Sequence, residues 1–200
     1  MGERLAGGNV AIALLANTIA TGAALVALIL ALGPISGAHL NPAVTLADAW
    51  QGGLAWRSVP VYLGAQMAGA FSGVAVAHIM FSEPLFSASR HARAGNAQVF
   101  SEFVATFGLL SIIWGCAQLR PPAVAFAVGA YITAAYWFTS STSFATPAVT
   151  LARAASDTFA GIRPADSPGF ILGQLAGATA ATALFRWLVP PPEPETNHGG

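Results

Sequence analysis

The sequence has very little charge and no lysine. Only 8% of its 200 residues are charged, whereas soluble domains carry about 25%. Hydrophobic residues make up 55%, and the mean hydropathy is +0.63, so the chain cannot cover a water-facing surface in the usual way. Eight arginines balance eight acidic residues. Without a basic patch, we expect no nucleic-acid partner.

The sequence also lacks the residue patterns of an enzyme. It has one cysteine, Cys116, which excludes a disulfide framework or a cysteine-rich metal site within the chain. We find no Ser/His/Asp constellation, no metal-spaced histidine cluster and no phosphate-binding loop. We therefore expect no catalytic residue, no bound metal and no cofactor.

The sequence instead contains long apolar runs. The first covers residues 10–32 without a charge. It exceeds the roughly 15 apolar residues of a signal peptide and reaches the roughly 20 that cross a bilayer. Four further runs approach spanning length: 59–81, 103–119, 122–138 and 167–185. These runs predict an all-α, multi-pass protein of the cell (inner or cytoplasmic) membrane, with the lipid bilayer as its surroundings.

Small residues recur at every fourth position in two of these runs. The two rows are Gly64, Ala68 and Ser72, and Gly169, Gly173 and Gly177. Such rows let helix backbones approach closely in lipid, so a packed helix bundle is predicted. The longest polar connection covers residues 82–97, and the proline-rich tail 190–200 is expected to be disordered.

An internal repeat is the most informative feature. Residues 36–49 read SGAHLNPAVTLADA and residues 141–154 read STSFATPAVTLARA, so six identical residues recur at an offset of 147 − 42 = 105. Each copy places an N-cap residue, Asn41 or Thr146, before a proline at the first helical position. The helical pattern then lasts only about ten residues, too few to span a bilayer. This arrangement predicts two re-entrant half-helices in matching halves.

The repeat defines the expected domain organisation. We predict one channel domain over residues 1–189, with a first repeat at 9–81 and a second at 98–189. Two apolar runs precede the half-helix of the second repeat, but only one precedes that of the first. The expectation is therefore that the first span is missing, through either a misassigned start or a truncated gene.

At these motifs the chain resembles the major intrinsic protein family, the aquaporins and aquaglyceroporins. The segment from Ser36 to Thr45 matches the first family signature. The resemblance implies a right-handed helix bundle built from an inverted repeat, here with five full spans and two half-helices. It also implies a pore in each protomer and a homotetramer. Residues 8–22 and 129–138 resemble the bacterial branch associated with arsenic-resistance operons.

The facing half-helices would form the centre of the pore. Each N-terminus carries about half a positive charge, so the pair would repel cations and accept the oxygens of neutral solutes. The motif residues are Asn41, Pro42, Ala43, Thr146, Pro147 and Ala148. Thr146 stands where the family has asparagine; we expect its hydroxyl to cap the helix, donate to a solute and preserve conduction.

The resemblance further implies a constriction at four positions, namely Thr21, Ala134, Ser143 and Val149. None is bulky or charged, so the expected solutes are water, glycerol-like polyols and neutral arsenite. Arg153 lies one helical turn beyond Val149. It either places a charge at the outer mouth or compensates the dipole at the end of the half-helix. Its repeat counterpart is Asp48, expected to face water or to pair.

Two further residues are candidates for supporting the loops. The resemblance implies that Glu102 is buried and accepts hydrogen bonds from the second motif loop; otherwise it is a solvated helix end. His39 is either a donor facing the pore or a structural loop histidine.

Two other functions stay open at this point. A non-conducting remnant of the family would share every motif. A secondary transporter would also show inverted repeats and broken helices, but it usually needs acidic residues inside the spans, and only Glu102 at a span edge is available.

Overall fold

The computed structural model describes residues 1–189, and within that range all regular structure is helical. The predicted tail at 190–200 lies outside the described residues. The α-helices in this range are α1 Gly2–Leu5, α2 Val10–Ser36, α3 Pro42–Gln51, α4 Val59–Phe81, α5 Asn96–Leu119, α6 Val124–Phe138, α7 Pro147–Arg153 and α8 Ser167–Leu188.

Four of the five predicted spans are confirmed as helices long and apolar enough to cross a membrane. They are α2, α4, α5 and α8, where α4 and α8 each include a preceding 3₁₀ turn. The fifth, α6, has 15 residues and follows the three-residue 3₁₀ turn Pro121–Ala123. At 1.5 Å per residue α6 alone is about 23 Å long, less than the ~30 Å hydrocarbon core. The described chain is thus an all-helical, multi-pass membrane protein with four full-length spans.

The first span begins and ends at identifiable signals. The Asn9 side chain accepts hydrogen bonds from the backbone N–H groups of Ala11 and Ile12, at 3.0 and 3.2 Å. Helix α2 continues through Pro34 and ends at Gly37, whose φ of 74° lies in the left-handed region. It therefore extends to Ser36, beyond the apolar run that predicted it.

Glycines allow the central helices to pack closely. A Cβ added at Gly177 would lie 2.4 Å from the carbonyl oxygen of Phe103, and one at Gly173 would lie 2.6 Å from that of Val99. The predicted row on α8 therefore faces α5. The row on α4 faces outward instead: Gly64 has no neighbour within 4 Å of an added Cβ, because α4 packs against α3 and α7.

The short helices α3 and α7 end at opposite ends of α8. In the last turn of α3, the backbone oxygen of Trp50 accepts a hydrogen bond from Arg186, which lies in the last turn of α8, at 3.2 Å. The chain that follows α7 runs alongside the segment at 82–95. There the backbone N–H of Ser89 donates to the backbone oxygen of Ala154 at 3.0 Å. The same segment reaches the N-terminus of α8, where the backbone N–H of Arg93 donates to Asp166 at 2.9 Å.

The α5–α8 contact yields a test of the packing. Gly177→Ala should lower the free energy of unfolding by about 2 kcal/mol, because the new methyl group must displace the α5 backbone. The matched control is Gly64→Ala, which meets open space and should be neutral or slightly stabilising. Thermal unfolding in detergent measures both. Equal midpoints for the two variants would contradict close packing at Gly177.

Candidate functional site

The two motif loops share a backbone conformation. In each loop three residues at matching repeat positions have positive φ, although five of the six are not glycine. The pairs are Gly37 with Thr142 (74° and 59°), Ala38 with Ser143 (46° and 49°), and Leu40 with Ala145 (49° and 52°). Left-handed backbone costs a non-glycine residue about 1 kcal/mol or more. The duplication seen in the sequence thus extends to a strained backbone shape in both loops.

The N-termini of α3 and α7 meet through Asn41. Its amide nitrogen Nδ2 donates to the backbone oxygen of Ala145 at 2.6 Å, and its Oδ1 accepts from the backbone N–H of Ala43 at 2.9 Å. One side chain therefore caps α3 and holds the opposite loop. The neighbouring motif residues are all buried: Pro42, Ala43, Pro147 and Ala148.

Thr146 differs from the prediction. Its backbone occupies the N-cap position of α7, with φ −152° and ψ 126°, but its side chain makes no capping hydrogen bond. Within residues 1–189 the buried hydroxyl has no hydrogen-bond partner. Threonine can cap a helix, but in this conformation its hydroxyl bonds neither the N–H groups of α7 nor the opposite loop.

A cavity of about 370 Å³ lies between the two loops and is walled by α2, α5 and α6. Three of the four predicted constriction residues line it, namely Thr21, Ser143 and Val149. Ala134 does not, because it is exposed on the outer face of α6. From α6, Ile132 and Tyr136 face the cavity instead. Two residues along a helix turn the side chain by about 200°, so Ala134 and Tyr136 lie on opposite faces of α6.

Tyr136 and Arg153 lie together at the cavity wall. The Tyr136 hydroxyl accepts from Nη2 of Arg153 at 3.2 Å and lies 3.5 Å from Oγ1 of Thr21. The guanidinium carbon of Arg153 also lies 4.4 Å from the ring centre of Phe144. The Arg153 side chain is therefore held at the cavity wall. Sequence reasoning missed Tyr136, although the four-residue spacing of Val128, Ile132 and Tyr136 indicates one helix face.

Glu102 holds the second motif loop. It is fully buried, and its carboxylate accepts from the backbone N–H groups of Phe144 and Ala145 at 2.9 and 2.8 Å. Nε2 of Gln174 donates to the same carboxylate at 2.6 Å and to Oγ1 of Thr150 at 2.9 Å. The carboxylate thus supports the strained backbone at the position that the resemblance implied.

The first motif loop has part of this arrangement. Nε2 of Gln66 donates to Oγ1 of Thr45 at 2.9 Å, and Thr45 is the repeat counterpart of Thr150. In residues 1–189 no carboxylate takes the place of Glu102 beside this loop, and Oε1 of Gln66 is buried without a partner.

His39 lies between its own segment and the cavity. Its Nδ1 lies 3.2 Å from Oγ1 of Thr45, and its Nε2 lies 3.5 Å from Oδ2 of Asp48. The ring also lines the cavity. His39 is therefore bonded within its own segment while one face borders the space between the loops.

A second arginine lies behind the mouth of the cavity. Arg93 is buried and donates to the backbone oxygens of Gly161 and Ser141 at 2.8 and 3.1 Å. Burial, and next the charge of Arg153, lower the pKa of Arg93 to about 10. Arg93 thus stays protonated at neutral pH, and this end of the cavity is positively charged.

The chain is similar in sequence to known proteins. Residues 3–120 match the family model for Major intrinsic protein. The chain is 55% identical over 184 residues to Aquaglyceroporin AqpS of Rhizobium meliloti (strain 1021), covering 92% of this chain and 79% of that protein. It is 35% identical over 178 residues to Aquaporin NIP1-4 of Oryza sativa subsp. japonica, covering 84% and 62%. With the Glycerol uptake facilitator protein of Bacillus subtilis (strain 168) it shares 39% identity over 92 residues, covering 40% and 34%.

Glu102→Gln tests how the second loop is held. Glutamine has only one acceptor oxygen. Its NH₂ group would face one of the N–H groups that donate to the carboxylate, so two donors would oppose each other. We expect a loss of about 3 kcal/mol in the free energy of unfolding. The matched control is Glu83→Gln, whose exposed side chain pairs with Arg4 and should cost less than about 1 kcal/mol. Unfolding in detergent measures both, and a loss at Glu102 no larger than at Glu83 would rule out this role.

Proposed function

The chain belongs to the major intrinsic protein family, and we propose that it is a passive channel with a pore for small uncharged solutes between α3 and α7. The observation that carries the proposal is the cavity between two short helices whose N-termini meet through Asn41 and Ala145. Relatives are named aquaporin, aquaglyceroporin and glycerol uptake facilitator, which supports a channel rather than an enzyme.

The dimensions of the helices support this arrangement in a bilayer. Helices α3 and α7 have ten and seven residues, hence lengths of about 15 and 10 Å. Placed N-terminus to N-terminus, they cover about 25 Å of the ~30 Å hydrocarbon core. With its 3₁₀ turn, α6 reaches about 29 Å and serves as the fifth span.

The meeting point of the two helices selects for neutral solutes. Each helix N-terminus contributes about half a positive charge, so cations are repelled there. Asn41 uses one amide hydrogen on Ala145, and asparagine has a second one available for a passing oxygen. Loss of water from any ion that enters adds a barrier.

The lining of the constriction indicates which neutral solutes pass. Thr21, Ser143 and Val149 are small or of medium size, and Val149 occupies the position of an arginine in water-selective members. We propose that water and glycerol-like polyols pass, with Tyr136 and Arg153 limiting the width. The likeness of residues 8–22 and 129–138 to the arsenic-associated branch adds neutral arsenous acid as a candidate.

The organisation of the protein follows from the same proposal. Residues 1–189 form one channel domain, with repeats at 9–81 and 98–189, in the cytoplasmic membrane. The outward faces of α2 and α4 are largely exposed and apolar, so lipid or neighbouring protomers must cover them. A homotetramer would bury part of this surface.

Solute flux through proteoliposomes tests the proposal. Purified protein should speed stopped-flow volume changes driven by water, glycerol or arsenous acid, compared with protein-free liposomes and without any ion gradient. No acceleration would favour the non-conducting alternative. Flux that requires an ion gradient would favour a secondary transporter.

The constriction is tested by a pair of substitutions on α6. Tyr136→Ala should raise the flux of polyols larger than glycerol, because it removes a ring from the cavity wall. Ala134→Trp should leave glycerol flux within about twofold of the wild type, since an outward-facing residue cannot narrow the pore. If Ala134→Trp blocked glycerol flux, Ala134 would belong to the constriction, as the sequence predicted.

A further inference from the structure

We propose that Asp48 is the residue that keeps anions out of the pore. The inference rests on the proposed channel function and concerns a residue outside the motifs and outside the predicted constriction. Asp48 lines the same cavity as Arg153, and the two are repeat counterparts, since 153 − 48 = 105. Equivalent positions of the two duplicated halves therefore carry charges of opposite sign.

Apart from Asp48, the electrostatic features that border the cavity favour anions. The N-termini of α3 and α7 meet at its centre and carry partial positive charge. Arg153 lies at its wall, and Arg93 is buried next to Phe144, with its guanidinium carbon 5.0 Å from the ring centre. The carboxylate of Glu102 lies behind the second loop, where it accepts that loop's N–H groups and partly offsets the charge of Arg93. Arg153 and the helix N-termini are therefore the positive groups at the cavity itself.

Asp48 and Arg153 lie on opposite sides of the meeting point. Each is the seventh residue of its helix, so each lies about 9 Å along the helix axis from the N-terminus. The last turn of α3 contacts Arg186 at the C-terminal end of α8. The chain beyond α7 pairs with the segment at 82–95, next to the N-terminal end of α8. A solute that crosses the pore would therefore pass both charges in turn.

The charge of Asp48 is not cancelled by an arginine. Within residues 1–189, its side chain has no arginine nitrogen within 4.0 Å, and the nearby basic group is Nε2 of His39 at 3.5 Å. The Asp48 side chain is 22% exposed and lines the cavity, so its negative charge acts on the space inside. An anion at this end would meet repulsion before it reached the positive centre.

Ions are excluded in two ways, by the cost of dehydration and by the fixed charges along the pore. Dehydration opposes ions of both signs, whereas fixed charges decide which sign is favoured. The helix N-termini and Arg153 turn cations away. Anions would be stabilised by the same groups, so Asp48 provides the electrostatic barrier against them. Removing its charge should convert the pore from ion-excluding to anion-permeable, with little effect on neutral solutes.

Asp48→Asn in proteoliposomes tests this role. Nitrate is a suitable probe because it loses its hydration water readily. We expect nitrate permeability to rise about tenfold, because a unit negative charge a few ångströms from the path of the anion is removed. Glycerol flux should stay within about twofold. Asp48→Glu keeps the charge and should keep nitrate out.

Asp157→Asn is the matched control, because Asp157 pairs with Arg90 at 2.9 Å and does not line the cavity. It should leave nitrate and glycerol fluxes unchanged. Glycerol flux without any nitrate increase in Asp48→Asn would overturn the inference and leave the channel function standing. Nitrate leakage through Asp48→Asn from a protein that passes no glycerol would support the anion barrier and overturn the proposed neutral-solute function. A chain that conducts neither solute, in wild type or variant, would overturn both.

Discussion

Backbone hydrogen bonding inside an apolar environment is the constraint on which this structure depends. Both motif loops leave the helical conformation, so their N–H and C=O groups must find partners within the protein rather than in water. Two side chains meet much of this need: Glu102 accepts from the second loop, and Asn41 donates to the same loop from the first. Without such partners, each unpaired backbone group would cost about 1–3 kcal/mol.

The duplicated halves have diverged at the residues that face the cavity. Asn41 corresponds to Thr146, Asp48 to Arg153, and His39 to Phe144 at the common offset of 105. The backbone shape of the loops has been retained, as the matching positive φ angles show. Shape is thus common to the two halves, whereas hydrogen-bonding capacity and charge differ between them. A solute crossing the pore would meet different chemistry on the two sides of the meeting point.

Much of the fold could be predicted from the sequence because its signals are local. Apolar run length identified four spans, and the Asn-Pro and Thr-Pro pairs marked the starts of α3 and α7 to the residue. The burial of Glu102 needed the family resemblance, since an acid at the edge of an apolar run is equally consistent with a solvated end.

The remaining features depend on three-dimensional detail that spacing cannot supply. Counting residues back from the second motif led to Ala134, but the rotation of α6 presents Tyr136 to the cavity. The missing capping bond of Thr146 depends on the orientation of its side chain. The outward direction of Gly64 follows from which helices α4 contacts, and no local pattern encodes that choice.

The meeting of α3 and α7 is the central claim, and it can be measured directly. An electron cryo-microscopy structure of the protein in lipid nanodiscs should place Nδ2 of Asn41 within hydrogen-bonding distance of the Ala145 oxygen, about 3 Å, at mid-depth of the bilayer. Finding the two groups in separate leaflets, or more than about 10 Å apart, would contradict it, since a continuous pore between half-helices requires them to share the ~30 Å core.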